Sequence, residues 1–465
     1  VTDALYTLDE LLAATGGRAV GLTEPGIGSI SIDSRELGPH ALFVAIKGDR
    51  FDGHDFVDQA LANGAVAALV SAGRLDETGR RLIAVPDALE GLAALGRAAR
   101  ARTSARIAAV TGSVGKTTTK EALRTICAAA GSTHASIKSF NNHWGVPLML
   151  ARMPRATEFG VFEIGMSAPG EITPLTAMVR PHVALVTTVA PAHLEFFNSV
   201  AEIAAAKAEI FTGIEPGGTA IVNADHEHVD LLLDHARQAG VGEVLTYGFS
   251  PRAQLRITDV DTSGSASRAN VDLPSGCVTL ALNLAGRHML ANAAGALIVA
   301  ERLGVPVDLA LAALGRFEAP EGRGAVVRLG RDGEQLLLVD ESYNANPASM
   351  RAALEVFAGQ SAPRGRRVLV LGDMLELGAT SPDLHAALAP AVTAAGADLV
   401  FLVGPHMAAL RDALGSAAVA GHAQSSDALV DVIVKILAPG DAVMVKGSNG
   451  VRLGKLVTAL RERFA

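Results

Sequence analysis

The chain has 465 residues, 49% of them hydrophobic and 4% aromatic, with a formal net charge of −8. It is too long for one ordinary core, so about three domains are expected, and its balance is that of a soluble globular chain, not a disordered one. Net acidity and few aromatic rings argue against a nucleic-acid surface, and no apolar run approaches the roughly 18 residues that span a bilayer.

The start, VTDALYTLDELLAATGG, is acidic and amphipathic, unlike a signal peptide, so a cytoplasmic location is expected. Residues 1–102 read as a first unit. SISIDSRELG, ALFVAIKG and AVAALV have the pattern of short strands, DFVDQALANG that of a helix ending at Gly64, and DALEGLAALGRAARARTSA that of a helix running into a linker.

A second unit, 103–316, opens with the apolar RIAAV. This flows into TGSVGKTTTK and then into a helical stretch. Strand, glycine loop and helix form the context of a phosphate-binding loop, here shortened because the first glycine comes late, at Gly112. In the run Thr111, Gly112, Ser113, Val114 and Gly115, the glycines let backbone N–H groups turn around phosphate oxygens. Lys116 can offset phosphate charge, and Thr117 can offer a hydroxyl to Mg²⁺. The plainer alternative is a glycine turn before a helix with an exposed lysine.

FGVFEIGMS places Glu163 at the end of an apolar strand, as a metal ligand or as an ordinary strand-end carboxylate. VTTVAPAHLEFF presents His193, and a lone histidine is more often structural. EIAAAKAEIF sets Lys207 among alanines on a helix, where a solvated lysine is the simpler reading of that stretch alone. Residues 250–284 are rich in turn formers and polar groups, which predicts a small antiparallel excursion. Next, GRHMLANAAGA carries Asn292 near a helix start, as an adenine contact or a helix cap. Cys127 and Cys277 are too few for a disulfide framework and too far apart for a zinc site, so both are expected reduced and buried.

The third unit, 317–465, follows the Pro- and Gly-bearing EAPEGRGAVV. QLLLVD, RVLVLGD, ADLVFLVG and DAVMVKG each precede a helical pattern. The expected fold class is α/β with three domains: a central phosphate-loop domain on a parallel sheet and a C-terminal doubly wound, Rossmann-like domain among them. DESYNANP, LGDMLELG and VMVKGSNG put Glu341, Tyr343, Asn344, Asn346, Asp373, Lys446 and Ser448 at or just beyond strand ends, the edge where open parallel sheets bind ligands.

Together these stretches resemble the Mur ligases, the ATP-dependent amide-forming enzymes of peptidoglycan precursor synthesis. TGSVGKTTTK, FEIGMS, AHLE, AAAKAEIF and the GRH…AN helix occur in that family's order and cover the whole chain. DSR…DGHDF, NNHWGVPL, DESYNANP and LGDMLELG are most similar to the member that adds D-alanyl-D-alanine. The resemblance implies ATP, two Mg²⁺ ions and two substrates, UDP-MurNAc-tripeptide and D-alanyl-D-alanine, with the chain acting as a monomer.

It also implies roles. Lys116 and Thr117 would hold ATP phosphates and the first Mg²⁺, with Glu163 as another ligand. His193 and a carbamylated Lys207 would serve the second Mg²⁺, and Lys116, His193 and Lys207 would be catalytic. Asn292 would contact adenine, Glu341 would reach the ribose, and Arg323 would approach the nucleotide from the third domain. Ser34, Arg35, Lys47, Asp52, Gly53 and His54 would receive the UDP-sugar, and Asn141 and Asn142 would lie along the substrate. Tyr343, Asn344, Asn346, Lys446 and Ser448 would take the dipeptide. The chain departs from the family pattern at Met289 and Ser139, where asparagine is usual, and at Glu341, where aspartate is usual. A folylpolyglutamate-synthase-like ligase, or a phosphate-loop switch or motor, would share the loop; the N-terminal motifs argue against the first, and the second would call for an extended partner surface.

Overall fold

The computed structural model of the protein describes residues 4–22, 26–48, 50–331, 334–360, 362 and 365–464. Short runs of Ala, Val, Ile and Leu form three separate sheets. The first holds β1 (Arg18–Val20), β2 (Ser29–Ser31), β3 (Ala41–Val44), β4 (Ala67–Ser71) and β5 (Leu82–Val85) in the order β1-β5-β4-β3-β2. Only β1 is antiparallel to its neighbour.

The central sheet contains β6 (Arg106–Thr111), β7 (Thr133–Ala135), β8 (Phe159–Glu163), β9 (Val183–Val186), β10 (Thr219–Asn223), β11 (Glu243–Gly248), β12 (Leu255–Asp261), β13 (Ser267–Leu273) and β14 (Gly276–Leu282). Its order is β14-β13-β12-β11-β10-β9-β6-β8-β7. Pairing is parallel from β7 to β12, and β13 and β14 add the antiparallel excursion expected at 250–284. The apolar runs are continuous because both faces are covered. In β6, Ala108 and Val110 enter the core under helices Lys116–Ala130 and Arg287–Arg302. Ile107 and Ala109 enter the opposite core, under Ile172–Val179 and Val200–Ala208. Cys127 is buried in the first of these cores, whereas Cys277, expected to be buried, is exposed near the start of the edge strand β14.

The third sheet is built from β15 (Ala325–Leu329), β16 (Leu336–Glu341), β17 (Arg367–Gly372), β18 (Leu399–Val403), β19 (Gly421–Ala423) and β20 (Ala442–Lys446), ordered β15-β16-β20-β17-β18-β19. Only β15 is antiparallel. The order reverses around β20, and such switch points open a crevice at the carboxyl ends of the strands. Among the described residues no helix is long and apolar enough to cross a membrane.

The helix Ala88–Arg102, expected to lead into a linker, is instead shared core. Its Leu92, Leu95 and Ala99 pack in one cluster with Leu148 and Ala151 of the central unit. The Tyr6 hydroxyl donates toward the carbonyls of Leu95 and Ala151, 3.0 Å from each, and burial pushes this phenol up to about 12. The buried Arg100 guanidinium donates to the carbonyls of Val179 and Arg180, both at 2.7 Å. Removing the hydroxyl in Tyr6→Phe deletes a buried bond between the two units, at a cost of about 1 kcal/mol. The first thermal unfolding transition is expected to fall by about 2–4 °C. An unchanged transition would mean that the two carbonyls do not depend on Tyr6.

Candidate active site

The loop after β6 turns so sharply that two of its positions require glycine. Gly112 has φ 151° and Gly115 has φ 85°. A Cβ on Gly115 would stand 2.3 Å from Asn292 Oδ1, and one on Gly112 would overlap Thr187 Oγ1. Its shape is fixed from the neighbouring strand end: Ser113 N donates to Thr188 O at 2.9 Å, Ser113 Oγ to Ala190 O at 2.9 Å, and Thr187 Oγ1 to Val114 O at 2.6 Å. Lys116 Nζ curls back to donate to Gly112 O at 2.8 Å. Burial lowers the pKa of this amine, an effect that nearby Glu163 opposes.

Parallel register sets Val110 of β6 beside Glu163 of β8. Glu163 is only 2% exposed, so its carboxylate needs partners. It accepts from Thr117 Oγ1 at 2.8 Å and from Asn141 Nδ2 at 2.7 Å. The strand-end carboxylate is thus aimed at the first turn of the phosphate-loop helix.

His193 sits at φ 56°, and its Nδ1 lies 2.5 Å from Glu376 Oε2 of the third unit. Lys207, in the last turn of Val200–Ala208, is 2% exposed and has no hydrogen-bond or ion-pair partner among the described residues. Burial, reinforced by the charge of Lys116, pushes its pKa well below the usual lysine value. The solvated-lysine reading of this position is therefore excluded. Asn292 is not a helix cap, since Gly286 occupies that position; its amide lies against the phosphate loop.

The carboxyl edge of the third sheet faces this loop. Lys446 Nζ donates to Glu341 Oε2 at 2.9 Å, across the register of β16 and β20, and to Asn344 O at 3.1 Å. The Arg323 guanidinium stacks 4.0 Å from the Tyr343 ring centre, and the Tyr343 hydroxyl meets Ser139 of the central unit. Asn346 caps helix Pro347–Ala358 through Ser349 N at 2.9 Å. Ser448 Oγ accepts from Leu375 N at 3.0 Å.

These groups, Lys207 excepted, share one cleft of about 660 Å³. Among the expected residues it is lined by Ser113 to Thr117, Asn141, Asn142, Glu163, His193, Asn292, Arg323, Glu341, Tyr343, Asn344, Asn346, Lys446 and Ser448. Asn223, Asp225, Phe249, His288 and Glu376 line it too and were missed. Asn223 ends β10 and Asp225 lies just beyond it, strand-end positions of the kind that singled out Glu163. Asp373, by contrast, turns inward and accepts from Met407 N at 2.9 Å and His406 N at 3.3 Å.

The N-terminal set lies apart from this cleft, on loops after β2 and β3. Asp52 caps the turn Gly53–Phe56 and bonds His54 Nδ1 at 2.6 Å, while His54 Nε2 accepts from Ser71 N at 2.9 Å. A Cβ on Gly53 would come 2.7 Å from Ile46 N. Ser34 is buried and reaches Gln59 at 3.3 Å. Arg35, paired with Asp33 at 2.7 Å, and Lys47 face solvent. Asp52, Gly53 and His54 therefore shape the loop that presents Lys47.

Among the described residues no three His, Cys, Asp or Glu side chains come together as a metal cluster. Mg²⁺ beside a nucleotide takes phosphate oxygens and one or two protein groups, so a single buried carboxylate with an adjacent hydroxyl fits that ion. The uncompensated amine of Lys207 also fits conversion to a carbamate, which requires a neutral nitrogen.

Residues 26–100 match the Mur ligase family catalytic domain, 110–300 the Mur ligase middle domain, and 322–449 the Mur ligase, glutamate ligase domain. The UDP-N-acetylmuramoyl-tripeptide--D-alanyl-D-alanine ligase of Escherichia coli K12 is 38% identical over 98% of each chain. A crystal structure of MurF from Acinetobacter baumannii superposes with a TM-score of 0.85 at 29% identity, covering 98% of this chain and 99% of that one. A structure of MurF from Thermotoga maritima in complex with ADP gives a TM-score of 0.78 at 27% identity, covering 94% and 97%.

Gly115→Ala would combine left-handed strain of about 1–2 kcal/mol with the collision on Asn292. Binding of ATP, followed by titration calorimetry, is expected to weaken more than tenfold with the circular dichroism spectrum unchanged. Wild-type affinity would show that this loop does not cradle the phosphates.

Proposed function

The chain belongs to the Mur ligase family, and we propose that it joins D-alanyl-D-alanine to UDP-MurNAc-tripeptide, converting ATP to ADP and phosphate. What carries this reading is identity to a ligase of that name along nearly the whole of both chains, together with a cleft that unites the phosphate loop with the edge of the third sheet.

In the first step, a terminal carboxylate oxygen of the tripeptide attacks the γ-phosphorus, giving an acyl phosphate and ADP. In the second, the neutral amine of the dipeptide attacks the acyl carbon. A tetrahedral intermediate forms, loses the amine proton and expels phosphate as the amide is made. Both reactants of the first step are anions, so their approach needs positive charge. Lys116 supplies part of it by exchanging Gly112 O for phosphate oxygens. Thr117 and Glu163 would hold one Mg²⁺ and His193 and carbamylated Lys207 a second, the ions neutralising charge between carboxylate and triphosphate.

We assign residues 1–102 to the UDP-sugar, with Arg35 and Lys47 as the exposed cations for its diphosphate. Residues 103–316 take ATP, with Asn292 and the newly found Asn223 and Asp225 toward the nucleoside. Residues 317–465 take the dipeptide, with Arg323 and Glu341 nearer the nucleotide. Water would destroy the acyl phosphate, so the third domain serves to close the cleft. We assign the reaction to the cytoplasm, where ATP is supplied.

Phosphate release from ATP and Mg²⁺ should require both UDP-MurNAc-tripeptide and D-alanyl-D-alanine, and mass spectrometry should find a product heavier by one dipeptide less water. Release indifferent to both would sink the ligase assignment and favour a phosphate-loop switch. Lys207→Ala is expected to lose most of the activity and to regain part with added formate or acetate, which replace the carbamate. Full activity without rescue would remove Lys207 from the metal site.

A further inference from the structure

The third unit contributes a carboxylate to the histidine on the opposite wall of the cleft. Glu376 lies in the loop after β17, and that loop is held firmly by its own domain. Met374 and Leu377 on either side are buried in the C-terminal core. Met374 N donates to His385 Nε2 at 3.0 Å and Leu375 N to Ser448 Oγ at 3.0 Å. Between these anchors Glu376 takes φ 63°, which projects its side chain away from the core that holds its neighbours.

The receiving loop is equally fixed. Phe197 is buried in the central core, and Phe196 N donates to His193 O at 2.9 Å. His193 itself holds φ 56°. The two loops meet twice: Glu376 Oε2 lies 2.5 Å from His193 Nδ1, and Glu376 O accepts from Glu195 N at 3.3 Å. Gly378, at φ 57°, lets the backbones approach, since a Cβ there would already stand 3.3 Å from Glu195 Cα.

We propose that Glu376 is a positioning residue that orients the imidazole of His193, so that docking of the third domain and completion of the second Mg²⁺ site are one event. A carboxylate only accepts hydrogen bonds, so in the neutral ring Nδ1 carries the hydrogen and Nε2 keeps its lone pair for a metal. The same bond fixes the rotation of the ring. With the third domain displaced, His193 would lose this acceptor, and both tautomer and rotation would be free. Carboxylates that hold a metal-bound histidine in this way raise metal affinity about 10–100-fold. The consequence is a safeguard, because phosphoryl transfer would await a closed, dry cleft. This inference rests on the ligase reading and on His193 as a metal ligand.

The test is Mn²⁺ binding to the full chain, read by electron paramagnetic resonance with a non-hydrolysable ATP analogue and UDP-MurNAc-tripeptide present. Wild type is expected to bind two ions. Glu376→Ala should weaken the second by about 10–100-fold and leave the first, at Thr117 and Glu163, unchanged. Glu376→Gln, whose amide can turn an N–H toward Nδ1 and hold the wrong tautomer, should weaken the second ion by about tenfold or more as well. Equal second-ion affinity in wild type and Glu376→Ala would overturn the proposal and leave the ligase reading standing. A single Mn²⁺ in wild type would overturn both the proposal and the assignment of His193.

Discussion

A carboxylate sealed from water at the end of a parallel strand must be compensated, and in this chain the compensation of Glu163 organises the centre of the molecule. Thr117 brings it the phosphate loop, and Asn141 brings it the segment 137–142. That segment is where all three units meet. Lys138 pairs with Glu36 of the first unit at 2.9 Å, Ser139 touches Tyr343 of the third, and Asn141 reaches Glu163 of the second. The short side chain of Ser139 bridges to the third unit because Tyr343 supplies the reach.

The two outer units are attached by different physics. The first shares a buried apolar cluster with the central one, sealed by Tyr6 and Arg100. Moving it would expose that core, so it behaves as part of a fixed base. The third docks near the cleft through polar contacts such as Tyr343 on Ser139, Gln360 on Gly264 at 3.2 Å and Glu376 on His193. Such contacts exchange readily with water and cost little to separate. With the closure proposed above, this division would give the cleft a fixed wall and a movable one.

Local grammar carried much of this arrangement into the sequence. Strand, glycine loop and helix marked 106–130, the end of an apolar strand marked Glu163, and turn-rich polarity marked the antiparallel strands after 250. What escaped depended on tertiary partners. Strands β1 and β5, of three and four residues, are too short to show a period. Helix Ala88–Arg102 looks like a lead-in to a linker because its second apolar face is matched only by Leu148 and Ala151, far along the chain. Within LGDMLELG, Asp373 holds the strand-end position that drew notice, yet the open helix end at His406 and Met407 claims it. Glu376 becomes the residue that crosses the cleft. The two carboxylates lie three positions apart, and only the placement of neighbouring elements separates a cap from a site group.

The electrostatics of the central wall give the arrangement its direction. Lys207 is buried and Lys116 half-buried; the charge of Lys116 disfavours one on Lys207, while Glu163 favours the charge of Lys116 and Arg323 opposes it. Two amines so placed are costly as cations in a site of low polarity, and their environment lowers both pKa values. A triphosphate is the natural partner for Lys116, since it restores the charge that burial suppresses. Lys207 has no such route while it stays an amine, because a neutral nitrogen and a nearby ammonium still leave the pocket without an anion on that side. Reaction with CO₂ would convert the liability into a ligand: the nitrogen gains a carboxylate, a proton leaves, and the repulsion of Lys116 becomes attraction. Under that proposal the lowered pKa of Lys207 and its lack of a counter-charge would both favour the carbamate.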